Sequence, residues 1–287
     1  MSIYNINDYG AHPNSPEPST EAIARAIHAA SEAGGGTVYV PSGHYQTGAI
    51  FMKSNIELKL SPGAELSFSS NPNDYPVVDS RWEGVKQNVH ASCIFGINLE
   101  NVSVTGAGKL DGRGAPWWDK HRNSPDSLLY PRPKLISFDN CRRVTLRDLT
   151  LVNSPSWTVN PICCHDVTID NLSIYNPADS PNTDGIDPES CVNVRISNCN
   201  IDVGDDCIAI KAGTEDTKER VACENITITN CTMIHGHGGV VLGSEMSGDI
   251  RNIVISNCVF KQTDRGIRLK SRRGRGGVVE DSRVSTI

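Results

Sequence analysis

Four copies of one short pattern in the second half of the chain constrain its fold more than any other feature. In each copy apolar and polar residues alternate, an asparagine follows, and a further apolar position comes two or three residues later. The copies begin at residues 167, 194, 226 and 253. Units of this length that consist of short strands cannot bury an apolar side alone and must stack. The pattern predicts an all-β fold, a single-stranded right-handed parallel β-helix (a solenoid).

Stacking gives the repeated asparagines and cysteines structural roles. The asparagines form one predicted column, with each amide bonding to the next coil at the strand spacing of about 4.8 Å: Asn171, Asn198, Asn230 and Asn257. An adjoining column starts at Leu172 and continues with three cysteines: Cys199, Cys231 and Cys258. No Cys-x-x-Cys pair occurs among the ten cysteines, so buried free thiols are expected. Zinc at Cys163-Cys164-His165 is the weaker alternative.

The N-terminal segment predicts a lid for the solenoid. Ser19 and Thr20 are helix-capping residues, small apolar residues then recur on one helical face, and glycines 34–36 end the helix. We expect a single domain over 1–287, with the N-terminal cap and first coil at 1–45 and regular coils carrying the active site at 140–287. A fifth repeat has Ser282 at an apolar position and stops within a coil. C-terminal coils are therefore expected to be missing.

The net charge and the hydropathy of the chain exclude some classes of binding partner. The net charge of -6 argues against nucleic acid as the main partner, because phosphate binding needs a basic face. No stretch approaches the roughly 20 apolar residues of a membrane span, and residues 1–5 lack the basic and apolar regions of a signal peptide. The expectation is a cytoplasmic protein without a membrane partner, or a secreted one if a signal was removed. The oligomeric state is left open.

Two adjacent carboxylates, Asp205 and Asp206, follow a glycine and precede an apolar run. Like charges side by side raise one another's proton affinity, which suits acid and base chemistry. Strict strand alternation would direct the two side chains to opposite faces. We therefore expect the pair on a turn or bulge entering the strand, which Gly204 allows.

The repeat also aligns the strand that follows this turn in each coil. In that register Asp184 lies beside Asp206 of the next coil, and Asp205 lies beside His237 of the coil after. Two basic residues of the following strand project outward together: Arg268 and Lys270. The polar groups are thus predicted to gather at one edge of one sheet.

Four motifs in this order resemble those of the polygalacturonases, glycoside hydrolase family 28. They are Ser-Pro-Asn-Thr-Asp-Gly at 180–185, Gly-Asp-Asp at 204–206, Gly-His-Gly at 236–238 and Arg-Leu-Lys at 268–270. The resemblance covers nearly the whole chain and is closest to bacterial exo-polygalacturonases. It implies hydrolysis of α-1,4-galacturonosyl linkages in polygalacturonate or its oligomers, without a metal or other cofactor. Exo action on short, imported oligomers is favoured because no export signal is visible.

The resemblance also implies a role for each site residue. Asp205 is the general acid, and Asp184 and Asp206 hold and deprotonate the attacking water. Room for that water requires about 6.5–9.5 Å between the carboxyl groups and implies inversion at the anomeric carbon. His237 adjusts the proton affinity of the general acid and orients the site. The implied substrate-binding residues are Arg268, Lys270 and Asn182.

Two other functions stay open at this point. One is hydrolysis of a related pectic linkage such as rhamnogalacturonan. The other is a non-catalytic carbohydrate-binding β-helix. Trp117 and Trp118 are expected to pack under a loop, with a sugar subsite as the alternative.

Overall fold

A right-handed coil of parallel strands forms the body of the molecule. The computed structural model describes residues 2–287, and the predicted β-helix with its capping helix is confirmed. Three faces of the coil are parallel sheets, and one antiparallel hairpin lies outside them. Neither of its two α-helices, within residues 2–287, has the length and apolar character to cross a membrane.

The strands of each sheet run in chain order along the coil axis. Sheet 1 contains Ile3–Asn5, Gly36–Val40, Ile56–Leu60, Glu100–Thr105, Arg142–Arg147, His165–Asp170, Val192–Ser197, Cys223–Thr229, Ile250–Ser256 and Val279–Ser285. Sheet 2 contains Gly43–Thr47, Ala64–Phe68, Lys109–Asp111, Thr150–Val152, Ser173–Tyr175, Asn200–Val203, Thr232–His235 and Val259–Lys261. Sheet 3 contains Ile50–Phe51, Ile94–Ile97, Ile136–Asp139, Val159–Ile162, Ile208–Ile210, Val240–Gly243 and Ile267–Lys270.

Further elements decorate the coil. The hairpin pairs Val77–Trp82 with Val85–His90. The α-helices are Thr20–Glu32 and Ala115–Asn123. The short 3-10 helices are Ile6–Tyr9, Pro72–Asp74 and Pro125–Ser127. The rest of the described chain forms turns and irregular segments between the strands.

Sheet 3 is interrupted in the coil that carries Asp184. Here the ladder is reduced to single bridges, from Ile186 and Glu189 to the coils on either side. Pro188 stands between these bridges and has no backbone N–H to give to a ladder. The register nevertheless continues, since Ile186 pairs with Ile208, and Ile208 with Val240. This is the alignment that the repeat predicts.

The asparagine column forms in part. All four asparagines have positive φ, between 53° and 57°, a conformation that asparagine tolerates better than most residues. The Asn230 amide donates to Asn198 Oδ1 at 3.4 Å, whereas the Asn198 amide donates to Asp170 at 2.8 Å. A second column that we did not predict lies at the other end of these strands. It bonds from coil to coil at 3.0, 3.2 and 2.8 Å and contains Asp166, Asn193, Asn225 and Asn252.

The cysteines pack in two internal columns. The predicted one is buried, with Leu172 at its start. In the second, each backbone N–H donates to the sulfur of the next coil at 3.3–3.4 Å, through Cys141, Cys164, Cys191 and Cys223. All ten cysteines are free, and nine of them are buried. The zinc alternative is not supported, because Cys164 lies inside this column while His165 is exposed.

The two ends of the coil differ. Thr20–Glu32 packs its buried face, from Ala22 to Ala30, against the first strands of sheets 1 and 3, as expected of a lid. In the last coil Ser282 pairs with Ile253, the register that the repeat predicts, and both its side chain and that of Leu269 are exposed. The domain boundaries given above stay predictions.

Candidate active site

The candidate site lies on the turns that lead from sheet 2 to sheet 3. Asp205 and Asp206 occupy the turn between Asn200–Val203 and Ile208–Ile210, as the alternation argument predicts. Gly204 is needed for close packing rather than for an unusual φ. A Cβ atom there would lie 2.6 Å from the Pro177 carbonyl oxygen of the preceding coil.

Three carboxyl groups from two adjacent coils converge at this turn. One oxygen each from Asp184, Asp205 and Asp206 lies within 4.8 Å of the other two. Asp184 and Asp206 are buried, while the Asp205 side chain is 17% exposed and faces the open side of the cluster. The Asp206 backbone N–H donates to Asp205 Oδ1 at 2.9 Å. The sequence therefore identified the members of the cluster correctly.

His237 lies beside Asp205, as the register predicts. Its Nδ1 is 3.1 Å from Asp205 Oδ1, and its side chain is 56% exposed. Gly236 makes this position accessible to the histidine, because it has φ of 77° and a Cβ there would lie 2.3 Å from the Asp205 carbonyl oxygen. The imidazole is placed to orient the Asp205 carboxyl group.

The two basic residues of the last sheet 3 strand are placed differently. Lys270 Nζ donates to Asp206 Oδ2 at 3.1 Å, so its ammonium already contacts the carboxylate cluster. The side chain of Arg268 makes no hydrogen bond or ion pair with any residue from 2 to 287. Its guanidinium group is therefore available to an anionic ligand.

A row of buried charged residues that sequence reasoning missed lies next to the cluster. Its members occupy outward positions of sheet 3 beneath the hairpin: Lys134, Asp187, Glu189 and Lys211. Lys211 Nζ lies 3.9 Å from Asp184 Oδ2, 3.7 Å from Asp187 Oδ1 and 3.4 Å from Glu245 Oε2. Both carboxylate oxygens of Asp187 lack a hydrogen-bond partner. In the aligned strands Asp187, Glu189 and Lys211 alternate with the inward-facing apolar residues, which indicates their outward direction but not their burial.

The hairpin is joined to this row by an ion pair and an aromatic stack. Arg81 contacts Glu189 Oε1 at 3.3 Å, and Trp82 stacks on Trp157 with ring centroids 5.2 Å apart. The Trp157 ring also lies 4.7 Å from Lys211 Nζ. The hairpin thus covers the outer face of sheet 3 and keeps water from the buried charges.

Burial and mutual repulsion shift the proton affinities in this region. Burial, with the neighbouring Asp187 and Asp205 carboxylates, raises the pKa of Asp184 well above its ordinary value. Burial raises the pKa of Asp187 to about 8, although Lys211 opposes the rise. Burial alone lowers the pKa of the Lys211 ammonium, but Glu245 and the aspartates outweigh it and raise that pKa. Asp184 and Asp187 therefore hold a proton more tightly than ordinary carboxyl groups do.

Asn182 lies at the edge of the cluster, held by a buried arginine. Arg132 donates to Asn182 Oδ1 at 2.6 Å and to the Pro155 and Pro181 carbonyl oxygens at 2.8 and 2.9 Å. Asn182 also lines a pocket of about 300 Å³ between the hairpin tip and the segment 121–132. Its aromatic and charged lining residues are Trp82, Glu83, His121, Tyr130 and Arg132.

Trp117 and Trp118 are packed inside the protein, as expected, and do not line a sugar subsite. Trp117 is fully buried and meets Tyr75 edge to face at 5.6 Å. Trp118 is buried, and its Nε1–H donates to the Ser154 carbonyl oxygen at 2.9 Å. Trp82, on the hairpin, is the tryptophan that lines the pocket.

The carboxylate cluster already has cations of its own. Its three oxygens are near enough to share a small cation. Lys270 contacts Asp206, and Lys211 lies beside Asp184, so two ammonium groups supply positive charge there. The expectation of no metal stays a prediction.

Carboxyl groups gathered on the outer turn of a parallel β-helix can supply the acid and the base that cleavage of a glycosidic bond needs, which is the chemistry of a glycoside hydrolase. The model of the glycosyl hydrolases family 28 matches residues 31–287. The chain belongs to this family.

Solved and curated relatives agree with this assignment. A probable polygalacturonase of Vitis vinifera is 36% identical over 96% of the chain. The crystal structure of a hyperthermoactive exopolygalacturonase from Thermotoga maritima is 32% identical, with a TM-score of 0.90, over 99% of the chain and 76% of that structure. A family 28 exopolygalacturonase of Yersinia enterocolitica is 26% identical, with a TM-score of 0.89, over 99% of the chain and 60% of that structure. The chain spans 58% of the length of the Vitis vinifera relative.

The expected cytoplasmic location is wrong. The matching relatives are secreted or extracellular enzymes that act on the polysaccharide of the cell wall. The N-terminus carries no information on location, because the chain covers only part of its relatives. The preference for imported oligomers rested on the same reasoning and loses that support.

Proposed function

We propose that the protein hydrolyses α-1,4-galacturonosyl linkages in polygalacturonate and its oligomers. The observation that carries this proposal is the convergence of Asp184, Asp205 and Asp206. Lys270 contacts Asp206, and Arg268 lies two residues away on the same strand without an ion pair. Cleavage of a glycosidic bond needs one carboxyl group as acid and another as base. A uronate next to the cut needs a cation, which Arg268 supplies. Similarity to named polygalacturonases and exopolygalacturonases supports the same substrate.

Each carboxyl group has a distinct task in the proposed reaction. Asp205, the most exposed of the three, donates a proton to the glycosidic oxygen, with His237 holding its Oδ1. Asp184 and Asp206 hold the attacking water and accept its proton. Arg268 and Lys270 bind the uronate carboxylate, and Asn182 contacts the adjacent sugar.

The stereochemical outcome needs a direct measurement. The nearest carboxyl oxygens lie within 4.8 Å, which is less than the 6.5–9.5 Å that the spacing rule associates with inversion. Inversion is therefore a proposal that rests on the resemblance and on the pair of carboxylates available to one water. Following the anomer by NMR during hydrolysis of trigalacturonate tests it.

We propose exo action, because two segments of the chain border the site on the side of Asn182. The hairpin tip and segment 121–132 meet around the pocket of about 300 Å³ beside Asn182. A pocket of that volume is at the lower end for small-molecule sites and suits the end of a chain better than its middle. Two of the relatives are named exopolygalacturonases, which supports the same mode.

The test is release of reducing ends from polygalacturonate and trigalacturonate, with the products separated by size. Monomer as the first and dominant product supports exo action, and mixed oligomers contradict it. Asp205→Asn is expected to abolish turnover while leaving oligogalacturonate binding intact. Asp202→Asn, on the preceding strand, is the matched control. A folded protein that binds without cleaving would favour a carbohydrate-binding β-helix, and cleavage of rhamnogalacturonan instead would change the substrate.

A further inference from the structure

We propose that Lys211 is a positioning residue whose ammonium group favours the ionised form of Asp184 and thereby sets the acidic limit of the working pH range. The inference rests on the proposed function, in which Asp184 accepts a proton from water. Lys211 is buried beneath the hairpin, away from the open side of the cluster where Asp205 lies. Its effect on the reaction therefore passes through Asp184.

The position of Lys211 is the first observation. Its Nζ lies among three carboxyl groups, at 3.4 Å from Glu245, 3.7 Å from Asp187 and 3.9 Å from Asp184. The side chain is 5% exposed and lies over the Trp157 ring at 4.7 Å. Away from water, a charge acts on its neighbours more strongly than at the surface. The ammonium is thus held in place as a fixed positive charge behind the site.

The charges around Asp184 are the second observation. Those that face it or its partners from the packed elements are Arg132, Asp187, Asp205, Asp206, Lys211, His237, Glu245 and Lys270. With Asp184 itself, five acidic groups stand against three permanent cations and one histidine, and Lys270 is engaged with Asp206. Lys211 is the ammonium that forms an ion pair with Asp184 among residues 2–287. Without it, Asp184 retains a proton at higher pH and cannot act as a base.

Lys134 provides a built-in comparison. It is also a buried lysine on the outer face of sheet 3, and its Nζ lies 5.1 Å from the same Trp157 ring. Its hydrogen bonds, however, go to neutral oxygens, Asn160 Oδ1 at 2.5 Å and the Arg81 carbonyl at 2.8 Å. Burial of an ammonium on this face therefore does not by itself produce contact with Asp184.

The experiment compares pH profiles of kcat/KM on trigalacturonate for Lys211→Met, Glu245→Gln and Lys134→Met. Lys211→Met is expected to move the acidic limb up by at least about one pH unit, a tenfold loss of activity on that limb. Glu245→Gln removes a negative charge beside Lys211, so the limb is expected to move to lower pH. Lys134→Met is expected to leave the limb in place.

Opposite shifts from the first two variants cannot arise from general damage to the fold. Circular dichroism and thermal unfolding show which variants are folded, and Glu245→Gln keeps the test available if Lys211→Met does not fold. Lys211→Arg keeps a positive charge at this position, so its acidic limb is expected to lie between those of the wild type and Lys211→Met. The inference would be overturned if the acidic limb did not move in Lys211→Met and Glu245→Gln, or if it moved in the same direction in both. An equal shift of that limb in Lys134→Met would also overturn it. An inactive wild-type protein would instead overturn the proposed function.

Discussion

Lys270 Nζ donates to Asp206 Oδ2 at 3.1 Å, across the coil of sheet 3 that lies between them. Arg268 lies two residues away on the same strand and contacts no charged partner among residues 2–287. The two basic residues of one motif thus differ in their contacts within the protein itself, without any substrate. Lys270 is tied to the carboxylates that are proposed to react, whereas Arg268 is free to bind.

This inequality predicts different kinetic effects for the two residues. Arg268→Ala is expected to raise KM for trigalacturonate by about tenfold or more with little change in kcat, because a charge-assisted contact to the uronate is lost. Lys270→Met is expected to lower kcat as well, since Asp206 loses its partner. Steady-state kinetics measure both. Arg265→Ala, exposed and in the same coil, is the control, and equal effects from Arg265 and Arg268 would contradict the assignment.

His237 is expected to act on turnover rather than binding. His237→Gln removes the imidazole that holds Asp205 Oδ1 and should lower kcat by about 10²-fold while KM changes little. The neighbouring His235 offers a matched control, because its Nδ1 lies 2.8 Å from Asp202 Oδ1 on sheet 2. A His235→Gln variant that lost as much kcat would show that the turn, not the histidine, matters.

Asp187 is expected to make folding stability depend on pH. Its pKa of about 8 in the folded protein lies above the ordinary value near 4. Between those values only the unfolded chain releases the proton, so the free energy of unfolding falls as pH rises, by up to about 1.4 kcal/mol per pH unit. Urea unfolding at pH 5 and pH 8 measures this.

Asp187→Asn should flatten this dependence and increase stability at pH 8 relative to the wild type. Asp126→Asn, at an exposed position in a short 3-10 helix, is the control and should leave the dependence unchanged. A wild-type protein whose stability rises between pH 5 and pH 8, with Asp187→Asn following the same curve, would contradict the prediction.

The second asparagine column is expected to stabilise the coil through backbone conformation as well as hydrogen bonding. Asn225 has φ of 59° and bonds to both neighbouring coils. Asn225→Ala should lower the free energy of unfolding by about 1–2 kcal/mol. Asn225→Gly should cost less, because glycine accepts positive φ. Thr227→Ala, exposed on the same strand, is the control, and an alanine variant no worse than the glycine variant would contradict this account.

The repeat was sufficient to predict the fold and the members of the carboxylate cluster. Its inward apolar residues leave one workable register, because a slip by one residue would turn every side chain to the other face. Asp184 beside Asp206, and Asp205 beside His237, follow from that register alone.

The burial of the charged residues and the pocket beside Asn182 could not be predicted in the same way. Lys211 alternates correctly in the sequence, but an outward lysine on a strand is normally solvated. Its burial depends on the hairpin of 77–90 and on Trp157, which come from earlier coils. Contacts of an insertion with a distant coil carry no periodic signal. The second asparagine column does carry a periodic signal, since each member stands one residue before a copy of the pattern, within a strand of sheet 1. It was not predicted because these polar residues precede the alternating stretch by which the copies were aligned.

The register between coils has one more consequence. The proposed reacting groups come from consecutive coils, with Asp184 on one, Asp205 and Asp206 on the next, His237 after them and Arg268 last. No single coil contains a working set, so the site exists only after four neighbouring coils have docked in order. Catalytic turnover therefore reports on the assembly of the coils. During refolding, the delay before product appears measures the time at which the fourth of these coils packs against the others.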